Sequence, residues 1–79
     1  MNSRAFSSST NLFHDSAEQL ALRLEQESSP EAIELAREAR ALTRVFVTWQ
    51  TTRPTDADRV AGIQRLFEIN SQARDLLER

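Results

Sequence analysis

The chain contains no cysteine, no lysine and no tyrosine, and it has one glycine and one histidine. Each absence removes a class of chemistry. Without cysteine there is no disulfide staple and no thiolate cluster for a metal. A single imidazole, His14, is too little for a transition-metal site of ordinary composition. With Gly62 as the sole glycine, no glycine-rich loop can cradle a phosphate. No apolar run approaches the ~18 residues that span a membrane. The first ten residues, MNSRAFSSST, lack the apolar centre of a signal peptide. The expectation is a cytoplasmic chain with no cofactor, no metal and no membrane partner.

Charge of one sign is also missing. The formal net charge is -2 over 79 residues, with acids and bases interspersed, which is not the footprint of a general nucleic-acid binder. All ten basic residues are arginine, a bias to which we attach no functional meaning. Bulk is scarce as well: of 31 apolar residues, ten are alanine. A single core of this size is thin, so self-association or a permanent protein partner is expected.

What is present is helical periodicity. Ala32, Leu35, Ala39, Leu42, Phe46 and Trp49 follow one another at spacings of 3, 4, 3, 4 and 3. A helix with such a seam must bury it against other helices. Ser29-Pro30-Glu31 supplies its start: a capping hydroxyl, a proline suited to the first turn and an acid at the positive end of the dipole. The stretch from Arg44 to Thr52 has strand-like composition. We assign it to the helix because no second strand exists to pair with it and the seam runs through it. The second helix is thus expected over about 30–52.

Upstream, Phe13, Ala17, Leu20 and Leu24 share a face at spacings of 4, 3 and 4, which predicts a first helix over about 11–28. Thr10 or Asn11 could cap it; Asp15 with Glu18 would make a capping box for a shorter version. Residues 1–10 are serine-rich and aperiodic and read as a flexible tail, with Phe6 as its only sizeable apolar side chain. Downstream, Pro54 breaks the chain, Thr55 is the natural cap, and a third helix is expected over about 55–78. Its apolar residues, Val60, Ile63, Leu66, Phe67, Ile69, Ala73, Leu76 and Leu77, cover half the circumference.

The fold expected is therefore all-α: a three-helix, up-down-up bundle over residues 11–79, as one domain. Its core would contain Phe13, Leu20, Leu24, Leu35, Leu42, Phe46, Trp49, Ile63, Leu66, Phe67, Ala73 and Leu77. The alternative is a long hairpin of the second and third helices that dimerises into a four-helix bundle, with the first helix loosely attached.

Few constellations suggest chemistry. His14-Asp15-Ser16 has the residue types of a hydrolytic triad, but sequence neighbours at a helix start cannot supply its geometry. His14 and Glu18 stand at i, i+4 and could chelate a metal, but two ligands make a weak site. Arg37, Arg40 and Arg44 form a stripe on the second helix that could contact a polyanion; a solvated face balanced by Glu34 and Glu38 is the favoured reading. Gly62 inside a helix costs roughly 1 kcal/mol relative to alanine, and close approach by a neighbour explains it. Asn70 falls in the middle of the third helix's apolar face, where one polar residue can set register or oligomeric state.

Two functions follow. The first is a non-catalytic protein–protein interaction module, an adaptor or chaperone-like subunit that works by helix–helix docking on another protein or on itself. Val45, Val47, Trp49, Ile69 and Leu76 are its expected contact residues. The second is a regulatory module that binds nucleic acid or another polyanion through Arg37, Arg40 and Arg44; nucleic acid is the less favoured partner. No catalytic pair is announced by any spacing, so an enzyme is not expected.

Overall fold

The computed structural model describes the backbone of residues 2–78 and the side chains of residues 12–78. Three helices make up the fold: α1 (Asn2–Glu25), α2 (Pro30–Thr48) and α3 (Asp56–Leu77). No strand occurs among the described residues, so the Arg44–Thr52 stretch is helical up to Thr48. The all-α, three-helix bundle expected from periodicity is the architecture found. No helix is long and apolar enough to cross a membrane among the described residues.

Local chemistry fixes the helix ends. Ser29 holds an extended backbone and its Oγ accepts from the Ala32 amide at 3.1 Å, with Pro30 in the first turn. Thr55 repeats the device on α3, its Oγ1 accepting from the Asp58 amide at 3.1 Å. The start of α1 differs from expectation: its backbone is helical from Asn2 rather than from about Asn11. Neither proline nor glycine interrupts residues 2–25, and the Asp15–Glu18 capping box sits inside the helix, unused. Residues 2–10, read from the sequence as part of a tail, are thus helical in their backbone, while the side chain of Phe6 lies outside the described residues. α1 ends at Glu25, and Ser28 turns the chain with φ 62°, a left-handed conformation normally given to glycine.

The helices alternate in direction. Phe13 of α1 meets Phe46 near the end of α2, ring centroids 5.8 Å apart, while Glu25 binds Arg40 nearer the connecting turn. The interface between α1 and α2 is closed by small residues. Ala17 and Ala21 on α1 and Ala32, Ala36 and Ala39 on α2 are all buried, beside Leu20, Leu24 and Leu42. Alanine brings the backbones close, which is how a chain with little bulk still builds a core. The hairpin alternative with a loose first helix is overturned at this point, because Ala17, Ala21 and Leu24 are fully buried.

α3 crosses the open side of this hairpin. Gly62 is buried at its start, and a Cβ there would stand 2.9 Å from Trp49 Cη2 and 3.1 Å from Cζ2. The glycine is a slot for the indole. Trp49 in turn meets Phe46 edge-on, centroids 4.9 Å apart at 71°. From this lock the buried face of α3 continues through Leu66, Ile69 and Ala73. Arg65 of α3 pairs with Glu38 of α2 across the outer edge.

Phe13 and Leu35 are half-buried against the core rather than within it, and three core assignments on α3 change. Phe67, expected in the core, is 66% exposed. Ile63 and Leu77 are half-buried rather than sealed. The cause is the rotation of α3: its half-apolar circumference contains two seams, and only the one bearing Gly62 faces α2.

Candidate functional site

The second seam of α3 runs Val60, Ile63, Phe67, Asn70 and Leu77, with Arg74 in the remaining place. It opens onto a groove between α3 and α1. One lobe of the groove, about 350 Å³, is lined by Leu12, Asp15, Ser16, Gln19, Leu20 and Arg23 of α1 and by Asn70 of α3. A second lobe, about 240 Å³, continues over Leu20, Arg23, Asn70, Ala73, Arg74, Leu77 and Glu78. Ser16 also faces Leu66 and Phe67. Ser16 is thus level with Phe67, Leu20 with Asn70, and Arg23 with Arg74, so α1 and α3 run parallel along the groove.

The groove is apolar at its lip. Leu12 is 65% exposed and Phe67 66%. Single exposed leucines mean little, but here two large apolar side chains, one from each wall, stand beside the same groove. The α1 wall explains why the groove stays open. Opposite Phe67 and Asn70 it presents Ser16, Gln19 and Arg23 between Leu12 and Leu20, so α3 meets a mixed rather than a continuous apolar face.

The residues expected at an interface are dispersed. Val45 and Val47 are exposed, as anticipated, but on opposite flanks of α2. Trp49 is buried in the Gly62 slot, so the reading of it as an exposed anchor is corrected. Ile69 is fully buried, because it lies on the seam of α3 that faces α2. Leu76 is half-buried and floors, with Leu35, a cleft of about 620 Å³ between α2 and α3 whose rim carries Glu31, Glu34, Glu38 and Asp75. Asn70 is exposed, not buried among apolar residues, and it lines every lobe of the α1–α3 groove. Leu12 and Phe67 are the exposed apolar groove residues not anticipated as contacts. Their signal was present in the sequence: two interleaved seams at 3 and 4 spacing, one of them carrying the glycine.

The arginine stripe is largely engaged. Arg40 Nε and Nη2 donate to Glu25 Oε2 and Oε1 at 3.0 and 2.9 Å, a bidentate clamp across the α1–α2 seam. The hydrogen bonds from Arg40, more than its charge, hold the Glu25 carboxyl below its ordinary value, and the same bonds raise the Arg40 guanidinium. Arg37 lies 3.9 Å from Glu34. Arg44 alone of the three has no ion pair among the described residues, and one free cation is a poor polyanion site.

His14 and Asp15 approach to 3.2 Å, and donor atoms of His14, Asp15 and Glu18 lie within 4.8 Å of one another. All three sit on one helical turn at the surface, where their side chains make an ordinary polar cluster. Ser16 turns away into the groove, so the triad residue types do not converge.

No protein-family model, no curated protein and no solved structure matches the chain.

Proposed function

We propose that the protein is a non-catalytic interaction module that docks a helix in the groove between α1 and α3. The carrying observation is the open seam of α3, with Phe67 two-thirds exposed beside a groove whose other wall is helical. An amphipathic helix laid there would bury Leu12 and Phe67 and complete a bundle that three helices leave unfinished. Asn70 would set its register by demanding a hydrogen-bonding partner in the middle of an apolar contact. The chain then acts as an adaptor or chaperone-like subunit. An intracellular, cytoplasmic setting belongs to the same proposal, on the composition grounds given above.

The test is site-specific cross-linking. A photoreactive phenylalanine analogue placed at Phe67, on the groove, is compared with one at Arg37, on the solvated face of α2. Covalent adducts to a polypeptide from position 67 and none from position 37 are expected. Equal labelling at both positions, or none at either, overturns the docking reading.

A further inference from the structure

We propose that the cleft between α2 and α3 is a second docking site, fitted to a basic amphipathic segment of a partner polypeptide. A leucine-like side chain of that segment lies on the cleft floor, with arginine or lysine to either side. The cleft is on the opposite flank of α3 from the α1–α3 groove, and its occupation is independent of that groove.

The floor is apolar and open. Leu35 and Leu76 pack against the core from outside and are only half-buried, so each keeps apolar surface toward the cleft. The volume, about 620 Å³, is within the range of about 300–1,000 Å³ typical of ligand-binding clefts.

The rim selects the sign of the occupant. Four of the eight lining residues are acids, Glu31, Glu34 and Glu38 from α2 and Asp75 from α3, and none is basic. Neighbouring cations offset this only in part. Arg65 binds Glu38 but is shared with Glu68, 3.8 Å away. Arg37 stands 3.9 Å from Glu34 with both side chains largely in water, and a pair so exposed is weak. Asp75 has no ion pair among the described residues. It lies in the last turn of α3, where the helix dipole already gathers negative charge. An acid there is opposed by its own helix, and a cation laid beside it relieves the conflict.

The spacing selects the form of the cation. A metal ion needs several donor atoms within a few ångströms, and among the described residues only His14, Asp15 and Glu18, on α1, are so grouped. Glu31, Glu34 and Glu38 instead follow one another along α2 over roughly 10 Å, with Asp75 on the other wall. Charges spread in this way fit cations carried on separate long stems. Arginine and lysine stems also cover apolar surface while their heads stay in water, which matches carboxylates set around two leucines. A polyamine would answer the acids and bring little to Leu35 and Leu76. With the α1–α3 groove, α3 would then carry a docking surface on each flank, one apolar at its lip and one acidic.

Fluorescence anisotropy on the full chain, at low and at physiological salt, tests the site. The probe is a dye-labelled amphipathic peptide of leucine, alanine and arginine. One companion peptide carries glutamate at every arginine, and another carries serine at every leucine. The arginine–leucine peptide should bind at least about tenfold tighter than either companion, and salt should weaken it. Glu34→Gln combined with Asp75→Asn should reduce its affinity about tenfold. Asp56→Asn combined with Asp58→Asn removes the same charge at the other end of α3 and should change affinity less than about twofold. Phe67→Ala, on the opposite flank, should leave binding unchanged, and every variant should keep wild-type helical circular dichroism. The companion peptides test the site on the unaltered chain. Absence of binding, equal binding of the serine companion, or equal losses from the two neutralised pairs each overturns the cleft as a site. Binding lost with Phe67→Ala but indifferent to the Glu34 and Asp75 pair overturns it as well, and leaves docking in the α1–α3 groove standing.

Discussion

α1 has two neighbours and treats them differently. Toward α2 it presents Ala17, Ala21 and Leu24, and the interface is sealed. Toward α3 it presents Ser16, Gln19 and Arg23, and the interface is a groove. The contrast shows that closure in a small bundle is decided by pairing of sizes and polarities across a seam, not by the total of apolar residues. Alanine, the weakest hydrophobe in the chain, closes the first interface because alanine faces it. Phe67 leaves the second open, with Ser16 beside it on the α1 wall.

Paired substitutions sharpen that contrast. The largest difference is expected between two phenylalanines. Phe46→Ala, in the sealed core, should cost about 3–5 kcal/mol, enough to unfold much of a domain this small. Phe67→Ala should change stability by less than about 0.5 kcal/mol. Guanidinium denaturation at low micromolar protein measures both.

Added bulk comes next. Ala36→Leu inserts three carbons into the closed seam and should cost about 1–3 kcal/mol. Ser16→Leu, in the groove, should cost nothing measurable in the same assay, since its space is open. Equal losses at the two positions would erase the distinction between seam and groove.

Gly62→Ala probes the lock between α2 and α3. Helix propensity favours alanine by about 1 kcal/mol. The Cβ must then displace Trp49, whose Cη2 would lie 2.9 Å away, and displacement in a packed core costs about 1–3 kcal/mol. A net loss of about 1 kcal/mol is expected, together with a shift in tryptophan fluorescence that reports the displaced indole.

The smallest effect is the pH dependence of the closed seam. Glu25 has its pKa lowered in the folded state by the Arg40 clamp. A carboxyl lowered on folding adds stability above its unfolded value, near 4.5, and loses it as pH falls through the lower folded value. Thermal melts of Glu25→Gln and wild type should therefore differ near neutral pH and converge under acid conditions. Arg40 is exposed enough, at 35% for its side chain, that the difference should be the least of those named here.

Much of this fold was legible in the residue order. Ser29-Pro30 and Thr55 cap as their chemistry dictates, and Phe46, Leu42 and Ala39 lie on the seam their spacing draws. Gly62 was read as a place of close approach, and the indole of Trp49 is what approaches. The helical start at Asn2 was not legible, because serine-rich composition argues for disorder while the absence of any breaker permits a helix. The rotation of α3 was the costly gap. With half its circumference apolar, periodicity alone leaves two faces available to the core, and the face found is the one on which Gly62, lacking a Cβ, admits Trp49. That choice buries Ile69, exposes Phe67 and moves Asn70 from the core to the groove. The candidate contact residues shifted with it: Val45 and Val47 are open, but Trp49 and Ile69 serve the core.

The central claim is that Phe67 is a folded-state side chain awaiting cover, and fluorine NMR tests it most directly. With 4-fluorophenylalanine at every phenylalanine, the Phe67 resonance should respond to solvent isotope in the dilute monomer and lose that response once the groove is occupied. The Phe46 resonance should be insensitive throughout. A Phe67 signal shielded from solvent in the dilute chain, or one that stays open in the assembled state, contradicts the account.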